Sequence, residues 1–469
     1  MPATRKNFAL VLLCLASFMA VVDTTIVSIA LPSMRRELGF SGADAQWILN
    51  GYALAFGGLL LPLGRAGDLY GRRRLFVVGL ALFAAASLVG GLSWESWVLI
   101  IARFLQGMGA AALVPASLSL LTAIFAKGEE RNHAIGVYGA MAALGFVVGM
   151  VGGGVITEFM GWRWVLFVSV PVALAALLPA QAMLPESRNE RAPRSLDLAG
   201  ALTVTAGLAS LIYAVSEVPQ SGWTSTATLG FGFLGALLLT LFAIAERRSP
   251  APLVPIGVLG ERAVVVPNAA IFLQSMVGIA WLYVLTLHFQ EVLGHSPLTA
   301  GLLFTPMTLV SVVAAPVAGR LATRLGVRVT ASSGLVLVAV GLLLMMQMSA
   351  GGGLVFVLCG MVVGETGFMF SNVPLTIAGS GSAGEGERGL SAGLLNTSIQ
   401  LGNAWGLGIV ATVIAAVTVA LGGEAGGAEA LVGGLRWGVL ACAGFALLAL
   451  PIVVFGLRGE KIPEGGPGE

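Results

Sequence analysis

Apolar runs of about twenty residues or more, separated by short segments rich in charge, glycine and proline, recur along the whole chain. About twenty apolar residues at roughly 1.5 Å each cross the hydrocarbon core of a bilayer, so each run predicts a transmembrane helix. The runs fall at 8–32, 46–66, 75–94, 97–123, 133–158, 163–183, 197–216, 225–245, 264–288, 297–318, 329–348, 353–378, 390–421 and 435–457. They predict fourteen spans and an all-α polytopic membrane protein without a separate soluble domain. The first run is longer than a signal-peptide core and lacks a cleavage context, so it reads as a retained span.

Basic residues between the runs set the orientation. With the N-terminus inside, alternate loops place 20 Lys and Arg on the inner side and 4 on the outer, with Arg103 left inside a span. Positive residues concentrate on the cytoplasmic side of membrane proteins, so both termini are expected in the cytoplasm. Trp94, Trp97, Trp162, Trp164 and Trp437 fall at span ends, where indole rings anchor in the headgroup region.

Composition removes the other classes. Hydrophobic residues make up 57% of the 469 and charged residues only 10%, with a mean hydropathy of +0.93. A soluble domain carries about 25% charged residues, and a net charge of +2 gives no reason to expect a nucleic-acid partner. Cys14, Cys359 and Cys442 are far apart and form no CxxC pair, so neither a disulfide frame nor a metal knuckle is expected. None of the three lysines precedes Ser or Thr, which excludes Walker-type phosphate binding. His288 and His295 flank Glu291 near an outer loop; this is too few convergent ligands for a metal site. No cofactor is expected. No Ser, His or Asp constellation with catalytic spacing occurs, so an enzyme is not expected either.

The chain repeats itself. Gly64-Arg65-Ala66-Gly67-Asp68-Leu69-Tyr70-Gly71-Arg72-Arg73-Arg74 follows the second run, and Gly319-Arg320-Leu321-Ala322-Thr323-Arg324-Leu325-Gly326-Val327-Arg328 follows the tenth, 255 residues later. Runs 1 and 9, and runs 4 and 12, each begin 256 apart. These offsets indicate two related six-helix halves with runs 7 and 8 inserted between them. Repeats of this kind are the architecture of secondary transporters.

Three ionisable residues sit inside runs, where each costs about 2.5–3.5 kcal/mol at a helix centre. Asp23 lies nine residues before Pro32, and Arg103 six residues after Trp97. Both therefore lie at similar depths, roughly 13 and 9 Å below the outer boundary, and meet if their spans are neighbours. Such a pair either loads and releases a proton or acts as a permanent salt bridge that fixes helix register. Glu365 lies near mid-membrane in a run without Lys or Arg. Burial without a cation favours its protonated form, making it a second proton carrier, a cation-binding group, or a neutral carboxyl bonded between helices. Gly145, Gly149 and Gly153 recur every four residues beside Gly152 and Gly154, a spacing that lets helices approach closely. That stripe serves static packing or a contact that tightens and loosens during transport.

Four stretches together resemble the major facilitator superfamily, in particular its fourteen-span drug:proton antiporter branch of the EmrB/QacA type. They are Asp23-Thr24-Thr25-Ile26-Val27-Ser28-Ile29-Ala30-Leu31-Pro32, Gly64 to Arg73, Arg103-Phe104-Leu105-Gln106-Gly107, and Gly161-Trp162-Arg163-Trp164 to Pro171. The resemblance covers essentially the whole chain. It implies two six-helix bundles, at 1–190 and 251–469, with two inserted helices at 191–250. It implies proton coupling through Asp23, Arg103 and Glu365, and a cavity lined by spans 1, 4, 9 and 12. Candidate cavity residues are then Trp281, Tyr283, Gln274, Phe368 and Asn372. It implies a conformational latch of Gly64, Asp68, Gly71, Arg72 and Arg73, with Asp68 pairing to Arg72 or Arg73; a solvated surface cluster is the other reading of those charges. Gly145, Gly149, Gly153 and Gly154 match the family's span-5 helix-packing motif, except that Met150 replaces its proline, while Leu69 replaces a basic residue after Asp68.

The expected protein is thus a proton-coupled antiporter of amphipathic drug-like or secondary-metabolite molecules, cationic ones included because Glu365 is unpaired in sequence. An exporter of lipid-like metabolites, or an uncoupled facilitator or receptor, is the alternative. Its partners are the small-molecule substrate, protons and membrane lipids, and it is expected to work as a monomer. The usage of 22 Arg against 3 Lys suits a GC-rich bacterium, hence a bacterial cytoplasmic (inner) membrane.

Overall fold

The computed structural model describes residues 3–40, 44–125, 129–186, 198–248, 260–351, 353–381, 388–423 and 427–457; some side chains within these ranges, that of Asp68 among them, lie outside the description. The described residues form sixteen α-helices. The first nine are α1 (Ala3–Leu38), α2 (Trp47–Tyr70), α3 (Arg72–Gly91), α4 (Ser96–Ile124), α5 (Glu129–Phe159), α6 (Arg163–Phe167), α7 (Ser169–Met183), α8 (Leu198–Ser221) and α9 (Thr226–Arg248). The others are α10 (Arg262–Leu287), α11 (Pro297–Leu303), α12 (Thr305–Leu325), α13 (Val327–Met345), α14 (Leu354–Gly381), α15 (Arg388–Ala420) and α16 (Gly427–Gly456). Among the described residues, eleven helical segments are long and apolar enough to cross a membrane. The chain is an all-helical, multi-pass membrane protein.

Two of the expected continuous spans are interrupted, and proline explains both. Run 163–183 divides at Val168 into α6 and α7, because Pro171 has no N–H to offer the carbonyl of Phe167. Run 297–318 divides at Phe304 into α11 and α12, where Pro306 likewise has no N–H for Leu302. The first span is longer than its apolar run: α1 continues through Pro32 to Leu38, since a membrane helix tolerates an internal proline when neighbours satisfy the freed backbone. α10 ends in a π-helical turn at His288–Val292.

The chain divides into two compact units. Unit 1 comprises Met1–Ala214, Leu229–Leu253 and His295–Leu302, and unit 2 comprises Val215–Thr228, Val254–Gly294 and Leu303–Glu469. In unit 1, α1 packs on α5 and α4, and α4 packs on α2 and α3; in unit 2, α10 packs on α15 and α14, and α14 packs on α12 and α13. The pairing is the same one, repeated. The junctions repeat as well. Gly71 (φ +112°) turns the chain between α2 and α3, and Gly326 (φ +88°), 255 residues on, does so between α12 and α13. A left-handed backbone conformation favours glycine at both.

Close packing explains why glycine recurs inside the helices. A Cβ on Gly79 of α3 would lie 2.8 Å from the Gly109 carbonyl and 2.9 Å from the Leu113 nitrogen of α4. Gly334 of α13, again 255 residues on, faces the Ser371 and Gly367 backbone of α14 in the same way. α8 and α9 interlock through Gly207 against Leu239 and Gly235 against Leu211, and the Thr205 hydroxyl donates to the Gly58 carbonyl of α2 at 2.8 Å. The outer face of α9 carries exposed Leu229, Phe233, Leu237 and Leu241 at a spacing of four, suited to lipid contact.

Gly79→Val forces branched carbons against backbone and is expected to cost about 1–3 kcal/mol, whereas Gly444→Ala, with open space around it, is expected to be neutral. Thermal unfolding of the purified protein in detergent checks the difference.

Candidate functional site

The charged residues of the first and fourth spans meet. Asp23 of α1 and Arg103 of α4 are both fully buried, with Arg103 Nη1 donating to Asp23 Oδ2 at 2.5 Å. An arginine keeps its charge and presents five N–H donors in a fixed fork, so burying it requires several acceptors. The structure supplies three to Nη1 and Nε, while Nη2 has no hydrogen-bond partner among the described residues. Arg103 Nη1 also donates to Gln106 Oε1 at 2.8 Å, and Nε donates to the Ile48 carbonyl of α2 at 2.9 Å. Its guanidinium lies 4.6 Å from the centre of the Tyr52 ring, within cation–π range.

Gln106 closes this network. Its Nε2 donates to Asp23 Oδ1 at 3.0 Å and to Ser87 Oγ of α3 at 2.7 Å. The amide therefore bonds the acid, the base and a third helix at once. It belongs to the Arg103–Gly107 stretch, but sequence reasoning gave it no role. Its signal was a fixed spacing, three residues after the arginine and so on the same helix face.

The glycine stripe of α5 lies against α1. A Cβ on Gly145 would meet the Phe18 backbone, one on Gly149 would meet Thr25 and Val22, and one on Gly153 would meet Ile26. Gly154 points elsewhere, to the backbone of Pro297 and Leu298. Three of the four glycines thus let α5 approach the stretch of α1 that carries Asp23.

Glu365 is positioned differently. It lies on α14, is 2% exposed, and accepts a hydrogen bond from the Ser311 hydroxyl of α12 at 2.5 Å. Among the described residues it has no ion pair. Trp281 is enclosed by protein: its ring lies against Gly364, and its Nε1 donates to Met345 Sδ of α13 at 3.1 Å. Tyr283 is also buried. Gln274 donates to the Phe368 carbonyl at 3.3 Å and accepts from Asn372 Nδ2 at 3.1 Å, which brings these three expected cavity residues together.

At the α2–α3 junction the basic residues find an acid that sequence reasoning missed. Glu186, just after α7, accepts the Arg73 backbone N–H at 3.2 Å and pairs with the Arg73 and Arg74 side chains at 3.6 and 3.9 Å. Arg73 also donates to the carbonyls of Gln181 and Leu184. The Glu186 carboxylate occupies the space that a Cβ on Gly71 would need, which gives that glycine a second reason besides its backbone angle. Arg72 begins α3, Gly64 stands in open space, and the expected Asp68 contact lies outside the described side chains. The only sequence signal for Glu186 was an acid following Pro185 beside a basic loop. At the end of α1, Glu37 accepts from Arg163 and from Trp162 Nε1, and Arg163 also donates to the Ser93 carbonyl.

The sequence matches the family profile described as Major Facilitator Superfamily over residues 13–407. It is similar to the puromycin resistance protein of Streptomyces alboniger, 37% identical over 89% of this chain and 84% of that protein. It is also similar to the cephamycin export protein of Amycolatopsis lactamdurans, 39% identical over 86% of this chain and 84% of that protein. Among solved structures, a bacterial homologue of the human lysosomal transporter Spinster, inward-facing and unoccupied, aligns with a TM-score of 0.68 at 15% identity, over 97% of this chain and 98% of that one. At that identity the likeness is one of fold.

Gln106→Leu keeps the volume but removes three buried hydrogen bonds. It leaves an Asp23 oxygen without its donor, which is expected to cost about 1–3 kcal/mol. A lower unfolding temperature for Gln106→Leu than for wild type, measured on the purified protein in detergent, checks this.

Proposed function

We propose an export function for this chain, which belongs to the Major Facilitator Superfamily. Its substrates in this reading are amphipathic drug-like or secondary-metabolite molecules, exchanged for protons by alternating access. The observation that carries it is the pair of buried acids held in different ways: Asp23 by a cation and an amide, Glu365 by one hydroxyl. Ionisable residues inside membrane helices mark ion and substrate pathways. The export and resistance proteins similar to this chain support the substrate class.

In this proposal the eleven apolar segments, together with α2, α5 and α8, make fourteen crossings, with both termini on the cytoplasmic side of a bacterial inner membrane. Glu365 takes a proton from outside and becomes neutral, which weakens its hold on bound substrate. Release of that proton towards the cytoplasm restores the site. Asp23 takes part when Arg103 turns from it to other acceptors, which lets the acid protonate without stranding the arginine. Arg73 and Glu186, together with Gly64, Asp68, Gly71 and Arg72, form the inner latch, and Gln274, Phe368 and Asn372 contact substrate.

Proteoliposomes containing a pH-sensitive dye test the coupling. Substrate addition is expected to move protons with wild type, and Asp23→Asn is expected to lower that flux at least tenfold. Glu365→Gln is expected to abolish it for lipophilic cations. Substrate transport without proton movement in wild type contradicts the antiport reading.

A further inference from the structure

Unit 2 holds a group of polar side chains that neither acid accounts for. On α15, Asn403 Nδ2 donates to Gln400 Oε1 at 3.4 Å. The Gln274–Asn372 pair reaches the Phe368 carbonyl, and Gly278, one turn along α10 from Gln274, faces both the Phe368 ring and Asn403. A Cβ on Gly278 would sit 3.4 Å from the Phe368 ring and 3.5 Å from Asn403 Oδ1. Farther along α15, Trp405 meets Phe272 edge-on at 5.9 Å, and its indole N–H has no hydrogen-bond partner among the described residues.

Carboxamides inside apolar helices are costly unless bonded. Each offers two N–H donors and an acceptor oxygen, more than these few bonds use. Asn372, Gln400, Asn403 and Phe368 are half-buried, so the remaining donors and acceptors are reachable. No Lys, Arg, Asp or Glu belongs to the group. The acid on the same stretch of α14, Glu365, lies two turns before Asn372, enclosed and bonded to Ser311. A charged ligand would find no counter-ion among the described residues of this group, whereas carbonyl and hydroxyl groups would find both donors and acceptors. With no side chain on Gly278, α10 covers neither the edge of the Phe368 ring nor Asn403 Oδ1 there, which leaves an aromatic surface beside the amides.

We infer that this seam of α10, α14 and α15 is a recognition site for an uncharged aromatic molecule bearing several carbonyl or hydroxyl groups. The inference rests on the export reading above and narrows it: Glu365 couples protons and holds cationic substrates, and the amides recognise uncharged ones.

The test is equilibrium binding of two radiolabelled probes to the full chain in nanodiscs. One is naringenin, a trihydroxyflavanone uncharged in mildly acidic buffer, and the other is the cation tetraphenylphosphonium. Asn403→Leu and Asn372→Leu are each expected to weaken naringenin binding about tenfold, the loss of one hydrogen bond, and to leave the cation unaffected. Gly278→Ala, whose added carbon makes only ordinary contacts, stays folded and weakens naringenin several-fold. Wild type that fails to bind naringenin, or variants that bind it as tightly as wild type, overturn the inference, as does equal loss of both probes. If the seam fails while proteoliposomes still export the cation, the export reading stands; if naringenin binds but neither probe is exported, the export reading falls.

Discussion

A charge in hydrocarbon must be neutralised by the protein itself, and the first unit is arranged around that requirement. An arginine carries its charge into a protein, so the helix that bears Arg103 needs neighbours that supply acceptors at one depth. Asp23 supplies the counter-charge, Ile48 a backbone carbonyl and Gln106 a side-chain oxygen, which fixes α1 and α2 against α4. Ser87 extends the network to α3. Breaking a buried pair by removing one partner leaves an uncompensated charge, whereas the intact pair adds little net stability over apolar packing. Register and switching are better reasons than stability for keeping it. A network in which one amide bonds both acid and base can exchange partners without stranding either.

The second unit repeats the helix pairing but not the chemistry. Where α10, α13 and α14 come together, Trp281 fills the space, packed on Gly364 and bonded to Met345. Glu365 stands apart from any described cation, and uncharged amides line the α10, α14 and α15 seam. What the halves share is backbone: glycines at the close crossings and at the left-handed turns, 255 residues apart. Close approach of helix backbones in lipid relies on small residues, so these positions hold the pairing while side chains elsewhere differ. One half carries a locked ion pair and the other an acid held by a single hydroxyl, which fits separate tasks.

Much of this is legible in the amino-acid sequence, because lipid makes hydropathy a strong constraint. The apolar runs locate the helices, equal depth brings Asp23 and Arg103 together, and the spacing of four puts Gly145, Gly149 and Gly153 on one helix face. Periodicity does not reveal the breaks at Val168 and Phe304, although Pro171 and Pro306 encode them locally. Partners far apart in sequence are not legible either. Gln106, Ser87, Ser311 and Glu186 are ordinary polar residues until packing gives them a charge to bond. Trp281 is ambiguous for the same reason: an indole in a span suits a cavity or a core, and only Gly364 and Met345 place this one in contact with protein.

In the proposed antiport, coupling turns on the two buried carboxyls changing protonation as substrate binds and leaves. Infrared difference spectroscopy of the protein in lipid vesicles, with substrate added and removed in both light and heavy water, observes that directly. The expected result is a carboxylic-acid band that disappears when substrate binds and shifts in heavy water, with its Glu365 component absent from Glu365→Gln. Substrate binding with no change in any carboxyl band would contradict it.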